Sequence, residues 1–441
     1  MTQHPAEAED TAVAPAADPA SIRRAVMAGG VGSVLEWYDF FAYGTAASLV
    51  FGHVFFPNIS SAGGTLAAFA TYGVGFFARP VGGLVFSHFG DRIGRKMILI
   101  ITLIMMGVAT TLIGLLPSYE SIGIAAPILL VVLRLVQGFA AGGELGGAIV
   151  LALEYSGPRK RGFNTSWMAC GVIGGLLLSS AVFTVCTAVF SETAFQEYGW
   201  RIPFVVSILL VATGMYVRLK VEESPLFNEV RKSGNQVRVP VVEVVRTHKR
   251  SLLVVMGARL IDNGVFFIYS VYLLNYAKEA TDLSSTAALI ALSLACVVAL
   301  VLVPWFASLS DRYGRRPVFM AGAGFSILAA FPIFAMATTG NPLLFGLALI
   351  LGIAVGWGMV TAVVGAYFAE LFPARLRYSG ITLGREISSI FAGGLSPFIA
   401  AALLTTTGSI WPVAGYAILL SAVSLIAVYY GPETYRLESL R

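Results

Sequence analysis

Twelve apolar runs of membrane-spanning length follow one another along the 441-residue chain, and they constrain its fold more than any other feature. A helix of about 20 apolar residues crosses a bilayer core of roughly 30 Å. The runs are continuous and lack the alternation of apolar and polar residues found in a transmembrane β-strand. They predict an all-α polytopic membrane protein with spans at 22–50, 64–89, 97–116, 123–154, 163–190, 201–219, 249–277, 284–309, 317–337, 341–371, 378–406 and 409–430.

The composition excludes several classes of function. Apolar residues make up 57% and charged residues 12% of the chain, against about 45–50% and about 25% in soluble proteins, so a soluble enzyme is excluded. The formal charge of +5 is spread over short basic clusters between apolar runs, which argues against nucleic-acid binding. Cys170, Cys186 and Cys296 lie in apolar runs and the four histidines are scattered. No metal site, cofactor or catalytic residue set is therefore predicted.

The distribution of lysine and arginine predicts the topology. Of the 29 basic residues, 23 lie before, between or after the spans on one side of the membrane, and such loops are cytoplasmic. Both termini are therefore expected in the cytoplasm. The predicted organisation is a disordered tail (1–21), a six-helix bundle (22–219), a cytoplasmic linker (220–248), a second six-helix bundle (249–430) and a short tail (431–441).

The two halves of the chain repeat each other. The loop at 90–96, with the sequence GDRIGRK, recurs at 310–316 as SDRYGRR, and Glu154 recurs as Glu370. With six spans in each half, the repeats run parallel about an axis along the membrane normal. This arrangement is typical of alternating-access carriers.

These loops resemble the signature of the major facilitator superfamily, and other segments resemble its metabolite:proton symporter family. The segments are LEWYDFF at 35–41, GFFARP at 75–80, GWRIPF at 199–204, EESP at 222–225 and ELFPAR at 370–375. The resemblance implies two pseudo-symmetric six-helix bundles and the import of small organic acids, or of proline and betaine, with protons into bacteria. Two segments depart from the family: in span 4 Leu145 replaces a tryptophan, and in span 11 Arg385 with Glu386 replaces an uncharged Tyr-Gln pair.

The charged residues within span 1 are candidates for proton coupling. Glu36 and Asp39 are spaced i,i+3 on one face near the middle of the bilayer, where an ionisable side chain is functional by default. In related sugar:proton carriers a span-1 Asp pairs with a span-4 Arg, which implies pairing of Asp39 with Arg134. The alternatives are a permanent structural ion pair for Asp39, and for Glu36 a shared proton or a hydrogen bond to Tyr38 or a facing serine.

Spans 7 and 11 carry the candidate substrate-binding cations. Arg259 can bind a carboxylate with its planar fork, or it can pair internally with Asp262, three residues later. Arg385 faces the cavity or pairs with Asp311 or another loop acid; both interpretations remain open. The predicted polar lining comprises Asn263, Tyr38, Tyr72, Gln137 and Tyr269. Of these, Tyr72 and Gln137 could equally satisfy buried backbone groups.

The charged loops are predicted to form cytoplasmic gates, the alternative being simple anchoring of the topology by positive charge. The predicted gate residues are Asp91, Arg92, Arg95 and Glu154 in the first half and Asp311, Arg312, Arg315 and Glu370 in the second.

Together these features predict a monomeric, proton-coupled symporter that imports a small mono- or dicarboxylate across the bacterial inner membrane. Its partners would be the organic acid, protons and the lipid bilayer. A proline/betaine-type zwitterion symporter and an efflux carrier are the alternatives within transport. A membrane receptor or enzyme would need a folded soluble domain or a nucleophile arrangement, and the sequence has neither.

Overall fold

The structure, a computed structural model, describes residues 19–93, 95–142, 160–220 and 240–435, and within these ranges it is helical without a β-strand. Twelve long helical segments follow the predicted spans in order. They are α1 (Pro19–Ala46), α2 (Ser61–Ile93), α3 (Arg95–Leu115), α4 (Ala125–Ala141), α5 (Arg161–Val189), α6 (Ile202–Lys220), α7 (Lys249–Ala280), α8 (Ser285–Tyr313), α9 (Arg315–Ala337), α10 (Pro342–Glu370), α11 (Leu376–Thr407) and α12 (Trp411–Tyr429). Short helices span Gly52–Phe55, Tyr119–Ile122, Glu192–Glu197 and Pro240–Thr247.

The helices have the length and surface of membrane spans. Eight of them, α5 to α12, are long and apolar enough to cross a bilayer, and α3 and α4 contain shorter apolar helices. Large apolar side chains such as Leu209, Val301 and Leu328 are exposed along them, as expected where the surrounding solvent is lipid. The prediction of an all-α polytopic membrane protein is confirmed.

Four of the segments include π-helical turns. α1 continues through such a turn at Ala47–Phe51, and others lie at Leu260–Val265 and Ile268–Tyr272 in α7, Ile350–Trp357 in α10 and Ile390–Gly394 in α11. π-Helical turns are rare and are frequent at functional sites. The turns in α7 and α10 carry residues of the central cavity described below.

The two halves pack through close contacts between small residues. Within the first half, α1 packs on α5 and α2 on α4; between the halves, α5 packs on α8 and α10, and α2 on α11. A Cβ atom at Gly138 would lie 1.9 Å from the carbonyl oxygen of Gly75, and one at Gly73 would lie 2.8 Å from that of Gly394. Glycine is therefore required where α2 meets α4 and α11.

The two ends of the bundle differ in charge. We call the end that carries the loops at 160–161, 311–316 and 375–377 the basic face, and the other end the opposite face. At the opposite face, Arg201 donates to the carbonyl oxygens of Gly114 at 2.9 Å and Leu116 at 2.5 Å. These carbonyls are at the end of α3, so Arg201 caps that helix.

Candidate functional site

A central cavity of about 40 Å³ lies between the two halves. α1 and α5 contribute Trp37, Thr165, Met168, Ala169 and Val172, while α7, α10 and α11 contribute Arg259, Asp262, Asn263, Phe266, Trp357, Thr361, Val364, Gly365 and Arg385. A water molecule needs about 10–15 Å³ of such volume. The cavity can thus hold a few waters, and the helices have to separate before a metabolite can enter.

Two arginines of the second half line this cavity. Arg259 Nη1 donates to Asp262 Oδ2, so the internal pair that the spacing allowed is present. Arg385 lines the cavity, while Asp311 is bound elsewhere. Among the described residues, the Nε atoms of Arg259 and Arg385 have no hydrogen-bond partner although both side chains are buried. Such unsatisfied donors are rare in protein interiors and suit an anionic ligand.

The wall around these arginines is held by α10 and α11. Trp357 Nε1 donates to the backbone oxygen of Asp262 at 2.7 Å, and its ring stacks on Phe266 with the ring centres 4.1 Å apart. Asn263 Nδ2 donates to Ser389 Oγ at 2.9 Å. The π-helical turn of α7, which contains Asp262 and Asn263, is therefore fixed from two neighbouring helices.

The first half holds a charge pair that the sequence analysis missed. Arg79 of α2 donates to Glu36 Oε1 at 3.0 Å, and its guanidinium lies 4.6 Å from the ring centre of Phe40. Arg79 Nε also lies 3.7 Å from Glu386 Oε2 on α11, in the other half of the protein. A single arginine inside the GFFARP segment was the available signal for this residue.

Asp39 and Arg134 lie within electrostatic reach of each other, but they do not form a direct ion pair in this structure. Arg134 donates to the backbone oxygen of Tyr72 at 3.3 Å and to Gln137 Oε1 at 2.5 Å. Three aromatic rings also surround its guanidinium, and the ring centre of Phe40 lies 4.4 Å from the guanidinium carbon. Within the described ranges no ion pair of 4.0 Å or less joins it to Asp39. Asp39 instead lies beside the hydroxyl of Thr110.

Four predicted lining residues are not among the residues that line this cavity. Tyr38 donates to the backbone oxygen of Pro203 at 2.7 Å, because it faces α6 while its neighbour Trp37 faces the cavity. Gln137 bonds Arg134 and donates to Thr110 at 2.8 Å. The remaining two, Tyr72 and Tyr269, are buried, and their hydroxyls have no hydrogen-bond partner among the described residues. The expected contribution of these four to the lining is therefore not seen in this conformation.

Three predicted gate residues form one network at the basic face. Asp311 accepts hydrogen bonds from the backbone nitrogens of Gly162 and Phe163, both at 2.9 Å, which ties α8 to the start of α5 across the two halves. Arg315 bonds Asp311 at 2.7 Å and Glu370 at 3.2 Å. Arg312 is exposed. Glu154 and the side chains of Asp91, Arg92 and Arg95 lie outside the described part of the chain.

The segment after α12 joins this network, which the sequence analysis did not anticipate. Glu433 accepts from the backbone nitrogens of Arg315 at 2.9 Å and Arg316 at 3.0 Å, at the start of α9. Thr434 Oγ1 donates to Glu370 Oε2 at 2.6 Å. The turn between α8 and α9 needs Gly314, whose φ is +110°.

The halves also touch at the opposite face. Ser48 Oγ donates to the backbone oxygen of Val271 at 2.9 Å, and Asn275 Nδ2 donates to that of Ser48 at 3.1 Å. Lys278 Nζ donates to the backbone oxygen of Leu49 at 2.6 Å. The central cavity therefore lies between two sets of contacts that join the halves, one at each face.

Comparison with known proteins identifies relatives along nearly the whole chain. A family model described as Major Facilitator Superfamily matches residues 30–384 and 255–440. The shikimate transporter of Escherichia coli K12 is 42% identical and covers 88% of this chain and 89% of its own. The inner membrane metabolite transport protein YhjE of the same strain is 36% identical, covering 94% and 95%. The proline/betaine transporter of that strain is 34% identical, covering 95% and 85%.

Solved structures agree in fold. The proton:xylose symporter XylE bound to 6-bromo-6-deoxy-D-glucose has a TM-score of 0.73 at 16% identity and covers 94% of this chain and 97% of its own. A partially occluded inward-open conformation of XylE from E. coli has a TM-score of 0.73 at 18% identity and covers 94% of this chain and 99% of its own.

Proposed function

Because the chain belongs to the major facilitator superfamily and is a multi-pass membrane transporter of small metabolites, we propose that it is a proton-coupled symporter that imports a small mono- or dicarboxylate. The basic face is the cytoplasmic one in this proposal, with both termini on that side of the inner membrane. The protein acts as a monomer, since each chain carries both halves of the carrier.

The observation that carries the proposal is the charge of the cavity wall. Arg259 is paired with Asp262, whereas Arg385 adds a second cation to the same wall. The lining thus has one more positive than negative side chain, and the two buried Nε donors have no partner among the described residues. A carboxylate supplies acceptors for these donors and a negative charge beside the two cations of the wall.

Proton coupling is assigned to the carboxylates of α1. Asp39 is buried at the middle of a membrane helix without an ion pair in the described residues, and such carboxylates mark proton pathways. Glu36 is the second candidate, although it is bound to Arg79. Arg134 supports Asp39 by its field rather than by a direct bond. The similar fold of a proton:xylose symporter fits this assignment.

Alternating access is assigned to the contacts at the two faces. Separation of Asp311 from the start of α5 opens the basic face, and the bonds of Ser48 and Asn275 hold the opposite face closed meanwhile. Arg315 and Glu370 keep Asp311 in place. In the first half, Asp91, Arg92, Arg95 and Glu154 are proposed to play the corresponding part.

Uptake into proteoliposomes tests the proposal. Labelled hydroxylated cyclic acids, linear mono- and dicarboxylates, proline and betaine are offered with and without an inward proton gradient. We expect an acid to accumulate only with the gradient. Uptake that ignores the gradient refutes proton symport, and accumulation of proline or betaine alone would establish the zwitterion alternative.

A substitution series then tests the cavity. Arg385→Gln should lower the uptake of the acid at least tenfold, because it removes the excess positive charge of the lining. Arg246→Gln changes an exposed arginine of the short helix Pro240–Thr247 and serves as the matched control. Equal uptake by the two variants would show that the acid does not bind at this wall.

A further inference from the structure

We infer that Glu386 is a coupling carboxylate: while ionised it holds the two halves together through Arg79, and when it takes up a proton it releases them. This inference rests on the proposed symport function and adds a residue to it. Glu386 lies on α11, one residue after the cavity-lining Arg385.

Arg79 is shared between two carboxylates from different halves. Its Nη2 donates to Glu36 Oε1 at 3.0 Å, and its Nε lies 3.7 Å from Glu386 Oε2. The side chains of Arg79, Glu36 and Glu386 are 1%, 1% and 7% exposed. One cation thus connects α1 and α2 with α11 in a buried site.

The two bonds of Arg79 differ in what happens when the halves move. Glu36 and Arg79 belong to the same half, so their bond survives a rigid-body motion of one half against the other. The contact with Glu386 spans the interface where α2 meets α11, at which Gly73 and Gly394 lie close together. Every opening that separates α2 from α11 has to break this second contact.

Glu386 is also the weaker partner. At 3.7 Å its contact with Arg79 is an ion pair without a hydrogen bond, and Glu386 Oε2 and Arg79 Nε have no hydrogen-bond partner among the described residues. Separation of an ionised Glu386 would leave a buried charge without its cation, which is costly. Arg79 would keep Glu36 and the rings of Trp37 and Phe40. Protonation neutralises Glu386 and so removes the free-energy cost of separating it from Arg79.

The groups around Glu386 link this step to the substrate. α12 contributes no charged side chain, and Glu370 of α10 belongs to the network at the basic face. Among the described residues, the charged partners of Glu386 and its neighbour Arg385 are Arg79 from α2 with its partner Glu36 from α1, and Arg259 and Asp262 from α7. The short helix Pro240–Thr247 also packs on α11 and carries Glu243 and the exposed Arg246. A carboxylate bound at Arg385 adds a negative charge beside Glu386 and favours its protonated form. By reciprocity, a proton on Glu386 favours the bound acid.

The test compares two transport modes of Glu386→Gln in proteoliposomes. Counterflow exchanges labelled for unlabelled acid at equal pH and needs no net proton movement, whereas accumulation driven by a proton gradient does. We expect Glu386→Gln to keep counterflow within about twofold of the unmodified protein and to lose at least fivefold of its gradient-driven accumulation. Glu386→Asp keeps a titratable carboxylate and should restore gradient-driven accumulation with a changed pH profile.

Glu197→Gln, which changes an exposed glutamate at the opposite face, is the matched control and should leave both modes unchanged. Gradient-driven accumulation by Glu386→Gln equal to that of the unmodified protein overturns the inference. So does loss of counterflow in this variant, because Glu386 would then be needed for binding or folding. If the unmodified protein itself ignores the gradient, the proposed symport fails first and the inference fails with it.

Discussion

Replacement of Asp311 by asparagine tests whether the basic face is closed by the contact seen in the structure. The Asp311 carboxylate accepts from the backbone nitrogens of Gly162 and Phe163 at 2.9 Å each. These nitrogens are in the first turn of α5, where amides lack helical partners and carry partial positive charge. Asparagine keeps the size of the side chain but loses the charge and one of the two acceptor oxygens.

The magnitude follows from these two bonds. A hydrogen bond to a charged group contributes about 1.5–3 kcal/mol, and a charge at a helix N-terminus about 0.3–1 kcal/mol. Arg315 loses its bond to Asp311 but keeps Glu370, which limits the damage. We therefore expect closure to weaken by about 2 kcal/mol, roughly a 30-fold shift of the equilibrium toward the state open at the basic face.

Distances between spin labels measure this shift. Labels on Lys160→Cys and Tyr313→Cys flank the contact at exposed positions, and the native Cys170, Cys186 and Cys296 are buried and so protected from labelling. Asp311→Asn should enlarge the population at long distance and slow net uptake while counterflow persists.

Asp282→Asn, an exposed aspartate at the opposite face, provides the control. A distance distribution that does not change in Asp311→Asn would refute the role of this contact in closure.

Three further substitutions test packing and the cavity wall. Gly138→Ala should lower the melting temperature markedly, because its Cβ would lie 1.9 Å from the carbonyl oxygen of Gly75. Gly324→Ala is the control and should leave the melting temperature unchanged, because no atom lies within 4 Å of the added Cβ. Equal melting temperatures of the two variants would contradict the packing of α2 on α4. Arg201→Gln removes the cap of α3 and should cost about 1–2 kcal/mol in thermal unfolding; an unchanged melting temperature would contradict the cap. Trp357→Phe loses the bond to the α7 π-helical turn and should raise the KM for counterflow about tenfold with kcat nearly unchanged; an unchanged KM would exclude this support of the wall.

The fold could be predicted because membrane spans obey a local rule. Hydropathy and length alone place each helix, and the repeat of the loops at 90–96 and 310–316 divides the chain into halves. Some helix boundaries differ from the predicted ones where hydropathy does not determine where a helix ends. Span 1 was expected to end at residue 50, whereas a π-helical turn and the short helix Gly52–Phe55 continue it. No hydropathy pattern encodes such turns, because they depend on contacts between helices.

The site could be predicted only as far as its contacts are local. The pair of Arg259 with Asp262 follows from an i,i+3 spacing, and Arg315 with Asp311 from i,i+4. The partners of Arg79 lie 43 and 307 residues away. The contact with the more distant one, Glu386, depends on how closely the glycines of α2 approach α11. Arg134 was assigned to Asp39 by resemblance, but in this chain the backbone of Tyr72 and the side chain of Gln137 bind it.

The buried charges give a reason for acid and proton to move together. In the first half the carboxylates of Glu36 and Asp39 balance Arg79 and Arg134, and in the second those of Asp262 and Glu386 balance Arg259 and Arg385. The eight groups are neutral as a set, so a bound monocarboxylate alone would leave one uncompensated negative charge between closed faces, which is strongly unfavourable in a buried site. One proton on a coupling carboxylate restores neutrality. Under the proposed mechanism the doubly loaded carrier crosses between its two open states more readily than the carrier loaded with acid alone, and this difference is what makes a proton gradient accumulate the acid.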